Sequence, residues 1–135
     1  MVSREHEMTD EQILERVMAC VRAAADKRAT DPAVLDVREV AGFTDYFVIV
    51  SGSSDRRVQT IAEAVLEVMK KQGVRPIGTE GIREGRWALL DFGDWVVHVF
   101  YEAVREEFGL EELWFDAPRL PIPPEVLEPQ REMSP

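Results

Sequence analysis

Residues 46–50, Tyr-Phe-Val-Ile-Val, form an unbroken apolar run rich in β-branched side chains. A segment with no polar side cannot lie half-exposed, so it reads as a strand covered on both faces and flanked by neighbours inside a sheet. The polar turn Ser51-Gly52-Ser53-Ser54 closes it. Downstream, Arg86–Phe92 and Trp95–Tyr101 flank Gly93-Asp94. Glycine at the first loop position suits a two-residue type II′ turn, so these segments read as an antiparallel hairpin. In that register Trp87, Leu89 and Asp91 share a face with Val96, His98 and Phe100, because side chains alternate and cross-strand partners point the same way.

Around these strands the apolar residues recur at helical spacing. Thr9-Asp10-Glu11-Gln12 has the capping-box pattern, and Ile13, Leu14, Val17, Met18, Val21 and Ala24 then form one stripe that ends near Arg28. Cys20 flanks the stripe as a small buried thiol does. Asp31-Pro32 breaks the helix, and Val34–Val37 follows as a short strand. A second helix, capped by Ser53 or Ser54, carries Val58, Ile61, Ala62, Val65, Leu66 and Met69 on one face and stops at Gly73. Arg75–Thr79 reads as a short or irregular strand, since its proline cannot donate to a ladder and belongs at an edge or a strand start.

Residues 102–114 read as a short acidic helix or pair of turns containing Phe108 and Trp114. Six of the eight prolines lie from Pro118 onward, which predicts an extended tail. The chain of 135 residues suffices for one domain and not for two. Its expected divisions are a frayed start at 1–8, a domain over 9–117 and a proline-rich tail over 118–135. The element order implies an α/β fold, a mixed central sheet with flanking helices.

Acidic residues outnumber basic ones 26 to 16, for a net charge of −10. A phosphate backbone is repelled by such a chain unless a local basic patch exists, and Arg56-Arg57 and Lys70-Lys71 are too short to make one. A basic protein partner fits better than nucleic acid. One cysteine cannot form an internal disulfide, no secretory signal precedes the first helix, and no apolar run approaches the length of a membrane span. A cytoplasmic location is expected.

Three constellations invite a chemical reading. The strand, Gly-Ser turn and helix at 46–58 resembles the entry to nucleotidyltransferases, where helix N-terminal amides hold phosphate. The carboxylate pair that would hold metal ions is missing, since Glu63 and Glu67 fall on a helix and Asp91 and Asp94 are split by a turn. The turn serves capping at least as well, so the scaffold reads as nucleotidyltransferase-like without its catalytic carboxylates. His98 with Asp91 or Asp45 and a serine resembles a hydrolase triad only loosely, because no nucleophile elbow is present. A histidine in an apolar strand is more often a hydrogen-bonded structural residue, and His6 is its only fellow imidazole for a metal. Trp87 must either fill the core or offer a large contact surface of low conformational entropy.

Linked motifs between about Val34 and Pro118 resemble the ribosomal silencing factor family, also called Iojap-related proteins. They are Thr44-Asp45-Tyr46-Phe47-Val48-Ile49, Ser51-Gly52-Ser53-Ser54, Gly78-Thr79-Glu80-Gly81, Gly85-Arg86-Trp87 with Leu89-Leu90-Asp91, Gly93-Asp94 with His98-Val99-Phe100, and Arg105 with Leu110-Glu111, Leu113-Trp114 and Asp116-Ala117-Pro118. The resemblance implies a protein that binds large-subunit ribosomal protein fourteen and keeps the two ribosomal subunits apart, repressing translation. It implies a steric mechanism, with no enzyme activity, cofactor or metal. Trp87 matches the family's interface tryptophan, with Leu89 and Asp91 beside it and Glu80 as a further acidic contact. Tyr46 and His98 match other motif positions and join the expected partner-binding set.

Trp95 stands where the family generally has valine, which suggests an enlarged aromatic patch or a dimer contact. Glu107 stands where an aromatic is common. Two rival functions fit the same residues: a nucleotide-binding enzyme using the 51–54 turn, and a homodimeric scaffold pairing through an exposed hairpin that carries Trp87 and Trp95.

Overall fold

The computed structural model describes residues 8–113 and 116–128. Strand β2 (Tyr46–Gly52) is buried at every residue, as its unbroken apolar run requires. It lies between β1 (Thr30–Asp36), which pairs with it antiparallel, and β5 (Trp95–Tyr101), which runs parallel to it. On the far side of β5 come β4 (Trp87–Asp91) and the edge strand β3 (Gly78–Glu80), both antiparallel to their neighbours. The result is one mixed five-stranded sheet, β1-β2-β5-β4-β3.

Two helices cover one face. Helix α1 (Asp10–Asp26) starts with the expected capping box: Gln12 N–H donates to Thr9 Oγ1 at 3.1 Å and Thr9 N–H donates to Gln12 Oε1 at 2.9 Å. Helix α2 (Asp55–Lys71) is capped by Ser54, whose Oγ accepts from Arg57 N–H at 3.0 Å. Val17, Val21, Val58, Ile61, Val65 and Met69 from these helices pack on Val48, Val50, Leu90, Val97 and Val99 of the sheet. Each fully buried side chain of this size stabilises the fold by about 1.5–3 kcal/mol.

Among the described residues the other face is covered at one end only. Helix α3 (Glu102–Phe108) sets Val104 against a second cluster of Ala33, Leu35, Phe47, Ile49, Val96, Phe100 and Ala117. Gly109, at φ 59, ends α3, and the single turn α4 (Leu110–Leu113) follows. Trp114, counted in the sequence with this segment, lies outside the described residues.

Strand β3 takes Gly78–Glu80 rather than the expected Arg75–Thr79, and two further expectations are corrected. Strand β1 begins at Thr30, ahead of the proline, because its register shifts between Thr30 and Ala33 and Asp31 adopts φ 50. An edge position with an irregular ladder accommodates a residue that lacks an N–H.

The second correction concerns the proline-rich tail, which through Glu128 is not a free extension. Asp36 N–H donates to Pro118 O and Leu120 N–H donates to Val34 O, both at 2.8 Å, so this stretch bridges the outer edge of β1. Helix α5 (Pro124–Leu127) then buries Val126 against α1, and Arg22 Nη2 donates to Glu125 O at 2.9 Å. The prolines sit where no ladder donor is needed or at a helix start, where a missing N–H costs nothing. Residues 129–135 and most of the expected frayed start lie outside the described residues, and Met8 already rests on the core.

A candidate docking face on the open side of the sheet

The register of β4 on β5 pairs Trp87 with Phe100, Leu89 with His98 and Asp91 with Val96, so these six residues share a face as the hairpin pattern required. Glu80 of β3 lies beside Leu89 in the same row. This is the face that the two long helices leave uncovered.

The turn before β4 holds the tryptophan. Gly81 and Gly85 have φ of 78° and 72°, and a Cβ on Gly81 would sit 2.0 Å from the Trp87 carbonyl oxygen. Only glycine permits both the left-handed backbone and that approach. Gln59 Nε2 donates to Arg83 O at 2.6 Å, tying the turn to α2.

Trp87 stacks on Phe100 with ring centroids 5.0 Å apart, meets Phe108 of α3 at 4.7 Å, and donates its indole N–H to His98 Nδ1 at 3.1 Å. The aromatic file continues through His98 to Phe47 (4.8 Å) and on to Phe43 (6.1 Å). Its middle is buried and its ends are open: Phe43 is 65% exposed and Phe108 55%. The carboxylates on this face include the exposed Glu80 and the half-buried Asp91, and the half-buried Asp45 immediately precedes β2. Burial, then the neighbouring Asp94 charge, raises the Asp45 carboxyl above the usual carboxylate range.

The six expected contact residues do not stay together. Trp87, Leu89, Asp91 and Glu80 share the open face. Asp91 spends one oxygen on the hairpin itself, accepting from Gly93 N–H at 2.8 Å. His98 is on this face but only 4% exposed, beneath the tryptophan rather than beside a partner. Tyr46 is corrected outright. It pairs with Trp95, points to the helix-covered side and is 1% exposed, with the Arg38 guanidinium 5.4 Å over its ring.

Trp95 is likewise no surface residue: it is 0% exposed and stacked on Phe92 at 5.2 Å. The expected aromatic patch or dimer contact there is replaced by a core position, and the hairpin has β3 and β2 on its two sides rather than a free edge.

Sequence reasoning did not single out Phe43 and Phe108. Each stands alone among polar or small neighbours, a weak sign of exposure. Phe108, one position after the expected aromatic site at Glu107, supplies the ring that packs on Trp87.

The Ser51–Ser54 turn is already engaged. Ser54 takes the Arg57 amide through Oγ and the Val58 amide through its carbonyl, and Asp55 Oδ1 takes the Arg56 amide at 2.7 Å. Ser51 Oγ accepts from Arg105 Nη1 at 2.8 Å. Gly52 makes room for the start of α2, since a Cβ there would sit tightly, 3.0 Å from the Val58 nitrogen. These bonds use the donors that a phosphate would need, which favours capping over the cradle.

Among the described residues no three His, Cys, Asp or Glu side chains gather as a metal site would, and no helix is long and apolar enough to cross a membrane. The architecture defines a single-domain mixed α/β protein with one helix-covered and one half-open sheet face.

Residues 10–134 match the family model described as "Ribosomal silencing factor during starvation", and the chain belongs to the ribosomal silencing factor family. It is 44% identical over 96 residues to Ribosomal silencing factor RsfS of Bacillus subtilis, covering 71% of this chain and 81% of that one. It is 33% identical over 91 residues to the mouse protein Mitochondrial assembly of ribosomal large subunit protein 1, covering 65% of this chain and 40% of the other. A crystal structure of a Chromobacterium violaceum protein superposes with a TM-score of 0.75 at 34% identity, covering 76% of this chain and 86% of that one.

Proposed function

We propose that this protein docks on the large ribosomal subunit through large-subunit ribosomal protein fourteen and blocks joining of the small subunit, repressing translation without chemistry. Family membership supports the ribosomal setting, and the mouse relative's name ties it to the large subunit. The observation that carries the docking site is the half-open sheet face, where Trp87 packs against both Phe100 and Phe108 with Phe43 exposed at the other end. Rigid aromatic anchors with an acidic surround suit a basic partner: the rings give affinity through burial, and the carboxylates speed encounter and orient it. Trp87 and Leu89 are the central contacts, Phe108 and Phe43 flank them, and Glu80 and Asp91 supply charge. The site of action is the cytoplasm.

Cosedimentation with isolated large subunits tests this, comparing wild type with Trp87→Ala and then adding small subunits. The expected result is binding that blocks subunit joining and is lost in the variant. A folded wild type that fails to bind, or a variant that binds equally, overturns the reading.

A further inference from the structure

From the Trp87–His98 pair we infer that His98 is a positioning residue for docking, locking the Trp87 indole in one of its two flipped orientations before any partner arrives. The inference rests on the proposed docking face and adds a mechanism to it. The contacts with Phe100 and Phe108 are ring against ring, at 5.0 and 4.7 Å between centroids, and neither fixes a single atom of the indole. The hydrogen bond to Nδ1, at 3.1 Å, exists in one orientation only.

The imidazole is itself buried among rings. It is packed edge-on to Phe47 at 4.8 Å and parallel to Phe100 at 6.2 Å with an interplanar angle of 11°. Burial pushes it down to about 4, so it is neutral near pH 7 and Nδ1 is free to accept.

A second observation separates this role from ordinary core packing. Because Nδ1 accepts, the ring proton must sit on Nε2, and among the described residues Nε2 is buried with no hydrogen-bond partner. A position selected for stability alone takes an apolar residue in place of a histidine that leaves one nitrogen unsatisfied. What the histidine supplies at this site is an acceptor under the tryptophan. Holding a half-exposed tryptophan in its bound orientation removes the conformational entropy it would otherwise lose on docking.

The test uses two variants of the full chain. His98→Phe keeps a flat ring and removes the acceptor, whereas His98→Asn places a carbonyl oxygen near the Nδ1 position and removes the ring. Affinity for large subunits is read beside the hydrogen-exchange rate of the Trp87 indole N–H. His98→Phe is expected to weaken binding by about tenfold, the scale of one such bond, and to speed indole exchange. His98→Asn is expected to restore both within about threefold. Equal binding by wild type and His98→Phe overturns the inference, as does an Asn variant no better than the Phe variant.

If wild type itself does not bind large subunits, the docking reading fails, and indole exchange still decides the positioning claim: protection in wild type and Asn but not in Phe upholds it. If His98→Phe does not fold, imidazole nitrogen shifts of the wild type decide, an unprotonated Nδ1 supporting the bond and a protonated one refuting it.

Discussion

Alanine at Gly81 and at Gly73 separates two reasons for a glycine. Both residues are left-handed, at φ 78° and 79°, so both substitutions carry the same backbone strain, about 1–2 kcal/mol. They differ in space. An added Cβ meets nothing within 4 Å at Gly73, but at Gly81 it lies 2.0 Å from the Trp87 carbonyl oxygen and 3.1 Å from the carbonyl carbon. Ordinary contact begins at 3.4 Å, so one backbone has to retreat by the difference. The obstructing oxygen belongs to the first residue of β4, a strand paired on both sides by β3 and β5. Moving it opens the start of that strand, and the total cost of Gly81→Ala is expected at about 3–5 kcal/mol against about 1–2 for Gly73→Ala.

Urea unfolding followed by circular dichroism measures both, with equal slopes confirming that the midpoints report stability. The folded fraction of Gly81→Ala should also bind large subunits poorly, because the displaced carbonyl is that of Trp87. Losses equal within about 0.5 kcal/mol would refute the claim that close approach, and not φ alone, fixes this glycine.

Acid should expose the buried imidazole. Unfolded His98 takes its proton near 6.5 and folded His98 only near about 4, so the unfolded chain binds more protons between those values and stability falls as pH drops. The loss by pH 5 is about 2 kcal/mol, read as a lower urea midpoint, and His98→Asn removes that part of the slope; a flat profile from pH 7 to 5 contradicts a neutral buried ring. Arg105 donates to both oxygens of Glu111 at 3.0 Å and to Ser51 Oγ at 2.8 Å, and holds the Glu111 carboxyl below the usual range. Arg105→Met should cost about 2–3 kcal/mol and exposed Arg119→Ala at most about 1, by the same unfolding assay; equal costs would contradict a stabilising tie from Arg105 to Glu111 and Ser51. Burial pushes the Cys20 thiol up to about 12, with the Trp95 indole opposing in part, so a thiol reagent should label Cys20 only after urea unfolding. Rapid labelling in native buffer would contradict the packing of α1.

The elements with strong periodicity were legible before any coordinates. Thr9–Gln12 capped α1, Ser54 was one of two expected caps for α2, and the Gly93-Asp94 hairpin set Trp87, Leu89 and Asp91 on one face in the observed register. Each depends on residues within a few positions of each other, or on strict alternation, and such rules are local. The proline-rich segment failed because composition reports what proline forbids within a segment. Whether a distant strand edge offers Val34 O and Asp36 N–H to such a segment is a long-range matter. Tyr46 failed for a related reason. A run apolar on both sides has no pattern to say which side meets the helices, and pairing with Trp95 decided it.

By itself the sequence determined the family, the mixed α/β class, the buried strand and the tryptophan on a hairpin face, because motif order, apolar runs and period-two alternation are all written along the chain. Only the tertiary structure decided that this face is half-open, that Phe43 and Phe108 mark its exposed ends, and that the buried His98 accepts the Trp87 indole N–H. Which side chains are left uncovered depends on where α3 ends and on the 116–128 segment running along the outer edge of β1, and that is settled by packing between parts of the chain that no local pattern connects.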